Sequence, residues 1–334
     1  MAKRWTRRAL ICRTAPLVAA VPLAKFVTDA AGGGNDHVHG HPAGMGHAAM
    51  VGDEAPAPGG PGATDALLLP PPALPHQPGR LRDYTLTAVD KRIEVAQGVF
   101  FEGWTYNGTI PGPVIRATED DLLRVNFVNG GSHPHTIHFH GIHPAKMDGV
   151  FEVVPVGGSF TYEFPARPYG MHLYHCHSTP LKKHIHKGLY GAFIIDPPSP
   201  RPPAQELVMV MNGFDTDGDG SNNIYGVNGA AFYYARYPIT VSRSQTVRIY
   251  LANLTEFDLI NSFHLHGNFF KAYRTGTSLT QYEYADTLML CQGERAVLEF
   301  VFRHPGRYMF HAHQSEFAEL GWMGTFEVRE SLHV

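Results

Sequence analysis

One arrangement of residues occurs twice along this chain, and it limits the fold more than any other feature. The first copy runs from the alternating segment Leu122 to Val128, through His138-Phe139-His140-Gly141 and Ser159 to Phe164, to Tyr174-His175-Cys176-His177 and Gly191-Ala192-Phe193-Ile194-Ile195. The second runs from Val247 to Leu251, through His264-Leu265-His266-Gly267 and Ala296 to Phe300, to Phe310-His311-Ala312-His313 and Gly324-Thr325-Phe326-Glu327-Val328. A repeat of this length implies two homologous domains. In both copies short apolar and polar alternations end at Gly, Pro or Asn, and no long stretch has helical periodicity. Each domain is therefore predicted to be all-β, a sandwich of Greek-key type. The run Pro197-Pro198-Ser199-Pro200-Arg201-Pro202-Pro203 reads as a stiff linker, which sets the domains at residues 81–197 and 204–332.

The remaining amino-terminal residues do not read as a folded domain. Lys3, Arg4, Arg7 and Arg8 precede a mostly apolar run from Ala9 to Val27, the order of an export signal, and Arg7-Arg8 resembles the twin-arginine type. Arg13 and Lys25 interrupt the run, so a retained anchor or a misplaced start stays open for residues 1–35, and no stable membrane span is expected. Residues 36–80 carry His37, His39, His41, Met45, His47 and Met50 and then become rich in Pro and Gly, consistent with a disordered linker or a copper-collecting tail. A formal net charge of -3 gives no reason to expect a nucleic-acid partner.

Histidine carries the chemistry. In an extended strand side chains alternate between faces, so each His-x-His puts two imidazoles on one face, about 7 Å apart. Four such pairs at matched places in a repeat predict a metal cluster held by His138, His140, His175, His177, His264, His266, His311 and His313. Cys176 lies between two of them and points to the opposite face, so a metal held by its thiolate is a separate one. His135, three residues before His138, shares that opposite face, and His184 or His186 in the following loop supplies a third ligand. Two imidazoles and a thiolate describe a blue-copper electron-transfer site. Its second-copy counterpart lacks the thiolate, because Ala312 replaces the cysteine.

His135-Thr136-Ile137-His138-Phe139-His140-Gly141, with His175-Cys176-His177 and a downstream histidine, resembles the copper motifs of two-domain, laccase-like multicopper oxidases, which are related to copper nitrite reductases. The resemblance covers the chain from about residue 81 to its end and implies two tandem cupredoxin domains. It implies four coppers per chain: a type 1 copper on His135, Cys176 and His184, with Leu189 at the axial position; a type 2 copper on His138 and His264; and a type 3 pair on His140, His175, His177, His266, His311 and His313. In the second domain Asn261, Ala312, Phe317 and Trp322 stand where type 1 ligands would be. The implied reaction passes single electrons from a phenolic, aromatic amine or metal-ion donor to the cluster, which reduces dioxygen to water. A homotrimer is implied, in which domain 1 of one subunit meets domain 2 of the next, although assembly within one chain stays open. Asp148 matches an acidic residue near the cluster in related oxidases and is predicted to deliver protons, with Glu316 and Glu319 as weaker candidates and an ordinary Asp-Gly turn as the alternative.

Two rival functions remain at this stage. A copper nitrite reductase resembles the chain in its two domains, but needs three histidines at its catalytic copper and an aspartate where this chain has His138. A non-catalytic copper carrier would not need Cys176. Asp215-Thr216-Asp217-Gly218-Asp219-Gly220 resembles a calcium loop but lacks the later glutamate, leaving a polar turn as the alternative. Cys291 is expected to be a small buried residue, Cys12 falls in the leader, and no disulfide is expected in the mature chain. His143, His172, His186 and His304 are expected at the surface or behind the metal ligands.

Overall fold

The computed structural model describes residues 66–330. The leader with Cys12 and the histidine- and methionine-rich stretch lie outside them. Among the described residues no helix is long and apolar enough to cross a membrane.

The chain folds as two tandem cupredoxin sandwiches. In the first, one sheet has the order β2 (Val99–Tyr106), β1 (Leu81–Ala96), β4 (Leu122–Asn129), β6 (Ser159–Pro165). The facing sheet has the order β3 (Gly112–Thr118), β8 (Tyr190–Asp196), β7 (Gly170–His175), β5 (His138–Phe139). Strand β4 shows why the pattern works: Leu123, Val125 and Phe127 alternate inward and are fully buried, while Arg124 and Asn126 stay half-exposed.

The second sandwich repeats this plan. One sheet has the order β10 (Ile224–Val227), β9 (Gln205–Phe214), β12 (Thr246–Asn253), β17 (Arg295–Val301), β14 (Phe270–Arg274), β15 (Glu283–Ala285). The other has the order β11 (Ile239–Ser242), β19 (Met323–Arg329), β18 (Gly306–His311), β13 (Ile260–Leu265), β16 (Thr287–Cys291). Each copy has the same two parallel pairings, β1 with β4 and β3 with β8 in the first, β9 with β12 and β11 with β19 in the second. The helices beside them are short, among them α1 (Leu181–His186), α2 (Tyr233–Arg236) and α3 (Ser315–Glu319).

The sandwiches are joined by more than the linker. An apolar cluster crosses between them, with Ile110, Leu173 and Ile194 from the first against Val208, Phe232 and Tyr250 from the second. Beside it Arg116 makes a bidentate pair with Asp196 at 2.7 and 2.8 Å and reaches Glu206 of the second sandwich at 2.7 Å; Arg248 holds Glu206 at 3.0 Å and Glu299 at 2.6 Å. Arg116→Ala would leave Asp196 largely buried without its counter-charge and Glu206 with Arg248 alone, an expected loss of about 3–5 kcal/mol that chemical denaturation would measure.

Leu68, Pro71 and Leu74, expected within a linker, instead contact the two sandwiches. Leu68 is buried in the core of the second sandwich, the Pro71 carbonyl accepts from Arg116 at 2.7 Å, and the Leu74 carbonyl accepts from Thr118 Oγ1 at 2.8 Å. Proline-rich backbone lacks N–H donors but keeps its carbonyls, and these are what the domains use.

Candidate metal centres

Strand register builds the first histidine quartet. In the β5–β7 pair His138 stands directly opposite His175, and the intervening Phe139 turns into the sandwich core, fully buried. The rings of His138 and His140 lie 5.3 Å apart, those of His138 and His175 5.1 Å, and those of His138 and His177 5.5 Å. The Nε2 atoms of His140 and His175 face each other at 3.2 Å. The second sandwich repeats the construction: His264 stands opposite His311 in the β13–β18 pair, Leu265 turns inward, and His266 and His311 bring Nε2 atoms to 2.9 Å. His313 completes this quartet, its ring 5.2 Å from that of His264.

In four of the eight rings a backbone carbonyl fixes which nitrogen is offered. Nδ1–H of His138 donates to the Asp148 carbonyl at 2.8 Å, that of His175 to the Cys176 carbonyl at 3.0 Å, and that of His311 to the Ala312 carbonyl at 2.5 Å. His264 Nδ1 meets the Asp286 carbonyl at 3.0 Å and Thr287 Oγ1 at 2.8 Å. Nε2 is thereby left as the lone-pair donor aimed at its neighbours, the tautomer a metal requires. Facing imidazole lone pairs without a shared proton repel one another, so the donor set suits bound cations.

The cysteine site sits on the other face. Cys176 Sγ lies 3.3 Å from His184 Nδ1 and 3.9 Å from His135 Nδ1, and the two nitrogens are 3.2 Å apart. Cys176 and His135 are fully buried and His184 is 3% exposed. The structure brings His184, not His186, to the thiol: the His186 ring packs on Phe101 and Phe257, and its Nε2 accepts the Asp215 N–H at 3.1 Å. Leu189 is buried in the same apolar cluster as Cys176, and its carbonyl accepts the Cys176 N–H at 2.9 Å. Thr136 was not foreseen. Its N–H points at Cys176 Sγ from 3.4 Å, and its hydroxyl accepts the His177 N–H at 2.9 Å, so one residue touches both metal centres.

In the second sandwich the corresponding space is filled. Trp322 is fully buried with Ala312 and Asn261, and its indole N–H donates to Asn261 Oδ1 at 3.0 Å, while Asn261 Nδ2 donates to Thr255 Oγ1 at 3.0 Å. Phe317 stacks on Tyr225 instead, with ring centroids 4.0 Å apart.

The acidic candidates separate clearly. Asp148 Oδ1 lies 3.2 Å from His138 Nδ1 and 3.9 Å from His143 Nε2, and its side chain is one-third exposed. Glu316 and Glu319 are exposed on α3. The carboxyl groups of Asp215, Asp217 and Asp219 do converge, but Asp215 is occupied in accepting the N–H groups of Gly218, Asp219 and Gly220, as a polar turn requires. One expectation needs correction. Cys291 is exposed, because β16 alternates Leu288 and Leu290 inward with Met289 and Cys291 outward. His172 and His186 are buried, His172 through an Nε2–H bond to the Pro168 carbonyl at 2.7 Å. His143 is half-buried beside Asp148, and His304 is exposed.

The two quartets stay apart within the chain. Among the described residues no ring contact, hydrogen bond or ligand-capable cluster joins a histidine of one to a histidine of the other. The second quartet opens at the surface, where His266 and His313 are exposed, beside a depression of about 870 Å³ lined also by Phe269, Tyr284 and Asp286.

Burial keeps His135, His140, His175 and His184 neutral. Desolvation and the facing His175 pull His140 down to about 2, and desolvation pulls His135, His175 and His184 down to about 4. In the copper-free protein the folded-state values lie below the unfolded value of about 6.5, so their stabilising effect is complete above that pH and is lost as the pH falls toward 4. Urea unfolding of copper-free protein should show a midpoint that drops between pH 7 and pH 5; a flat profile would contradict these environments.

Two cupredoxin sandwiches with one cysteine-containing centre and two histidine quartets define a copper oxidoreductase. Profiles of the multicopper oxidase family match residues 87–200 and 200–331, and the chain belongs to that family. It is 53% identical to a protein whose crystal structure is described as a multicopper oxidase, over 80% of this chain and 96% of that one, with a TM-score of 0.76. A blue copper oxidase from Nitrosomonas europaea is 26% identical over 75% of this chain and 86% of its own, with a TM-score of 0.67. The copper-containing nitrite reductase of Neisseria gonorrhoeae is 28% identical over 265 residues, 73% of this chain and 67% of its own.

Proposed function

We propose that this protein is an oxygen-reducing, laccase-like multicopper oxidase with four coppers per chain. The observation that carries the reading is the completeness of both quartets, with His138 at the position where a nitrite reductase would need an aspartate and His177 as an additional ligand. His135, Cys176 and His184 would hold the type 1 copper, His138 and His264 the type 2 copper, and the remaining six histidines the type 3 pair. When bound, the coppers supply one-electron uptake at the cysteine site and four-electron reduction of dioxygen to water at the cluster.

The residues do the rest. Cys176 is bonded in sequence to His175 and His177, and the Cys176 carbonyl also accepts from His175 Nδ1, so thiolate and cluster ligands are linked twice. Leu189 offers no ligand atom, which favours a high reduction potential. Because each quartet is half of the cluster and the halves lie apart, the site is completed between subunits, and we infer a homotrimer of head-to-tail contacts. The exposed Phe151, Ile142, Phe269 and Tyr284, near the two quartets in sequence or space, suit burial in such contacts. Export is inferred from the basic and apolar order of the leader.

Asp148 both orients His138 and reaches toward solvent, and we assign it proton delivery. Asp148→Asn should lower oxygen turnover about 10- to 100-fold while sparing the blue absorption; unchanged turnover would remove the role. The reading as a whole is tested by copper counting with oxygen and nitrite assays on one preparation. Four coppers per chain with oxygen uptake supports it, whereas two coppers with nitric oxide from nitrite would replace it by nitrite reduction.

A further inference from the structure

An electron donor cannot touch the cysteine site directly, because His135 and Cys176 are fully buried and His184 is 3% exposed. What covers the two imidazoles is Trp104. Its ring centroid lies 4.9 Å from that of His184 and 5.5 Å from that of His135, and only 8% of the residue is exposed. Its place is fixed by β2, where its N–H donates to the Lys187 carbonyl just past α1 at 2.8 Å. On the solvent side, the exposed His133 packs on the indole with centroids 4.3 Å apart and planes tilted by 37°, and the exposed Lys183 ammonium lies 5.3 Å from the ring centroid.

We propose that Trp104 is the port through which planar donors pass electrons to the His135–Cys176–His184 site, and that His133 and Lys183, lying over the indole, form a shallow seat for planar phenolate donors. This rests on the oxidase reading for the presence of a type 1 copper. The indole touches both copper-ligating rings on one side and reaches the surface groups on the other, so it is the packed aromatic bridge between them. A planar donor gains from offset stacking on the exposed His133 imidazole, which itself packs on the indole, and the ammonium favours a negatively charged oxygen. The same ammonium opposes a positive charge on the indole, so Trp104 acts as a bridge and is not itself oxidised. In the step, one phenolate loses one electron and leaves as a phenoxyl radical, and the copper(II) becomes copper(I).

The test reads anaerobic bleaching of the blue absorption in a stopped-flow instrument, which needs no turnover of oxygen or nitrite. For Trp104→Leu, bleaching by 2,6-dimethoxyphenol at alkaline pH should slow about tenfold or more, while bleaching by hexacyanoferrate(II), which does not stack, should hold or quicken. Trp104→Phe should stay within about threefold of wild type for both donors, since a ring remains. Lys183→Ala should slow the phenolate and leave N,N-dimethyl-p-phenylenediamine unaffected. Equal slowing of every donor, or none, in the leucine variant would overturn the proposal. Should that variant not take up copper, the copper-free wild type provides the reading: 4-nitrophenolate should quench indole fluorescence saturably, with affinity about fivefold weaker in Lys183→Ala, and equal affinity in the two proteins would overturn it. Loss of oxygen uptake with normal bleaching would count against the oxidase reading alone.

Discussion

Cys176→Ala is expected to abolish the intense blue absorption and to lower the copper content from four to three per chain. The thiolate is the ligand that makes the site blue, and two buried imidazoles without it do not form that site. The cluster ligands should survive, because His175 and His177 are held by β7 and by the Thr136 hydroxyl rather than by the sulfur. Oxygen reduction from an external donor should then fall by several orders of magnitude, since electrons lose their bonded path to the cluster. Elemental analysis beside the visible spectrum checks this, and a retained blue band would overturn the ligand assignment.

The second large effect concerns the separated quartets. A chain carrying His138→Ala and His140→Ala, and another carrying His264→Ala and His266→Ala, should each be inactive alone. Unfolded together and refolded as a mixture, they should recover about a quarter of wild-type oxygen uptake, because a contact between subunits is intact when its first-domain half and its second-domain half each come from the unmutated source. Assembly of the cluster within one chain would give no recovery at all.

How much of this was legible in the sequence follows from the length scale of each signal. Alternation along a strand has period two, so the shared face of His138 and His140 and the opposite face of His135 and Cys176 could be read without coordinates. The choice between His184 and His186 could not be made from strand parity, because both sit on the six-residue α1 and only its packing against Phe101, Trp104 and Phe257 separates them. The orienting carbonyls of Asp148 and Asp286 were invisible for a different reason: any residue type supplies a carbonyl. Thr136 had only its place beside His135 to suggest it, since any residue but proline supplies a backbone N–H. Cys291 was misjudged from the usual burial of cysteine, although the alternation in Leu288-Met289-Leu290-Cys291 contained the correction. The packing of Leu68 depended on a partner surface more than a hundred residues away.

The filled space around Trp322 bears on how the protein keeps its metal count. An empty relic of a copper site, lined by a histidine or two, would scavenge zinc or surplus copper and leave chains with mixed contents. Here an indole bonded to Asn261 occupies the volume, so introducing copper ligands one at a time would meet a steric barrier before it met a chemical one. Bulk thus keeps a second thiolate-type site out of this domain, and building one would require several simultaneous replacements.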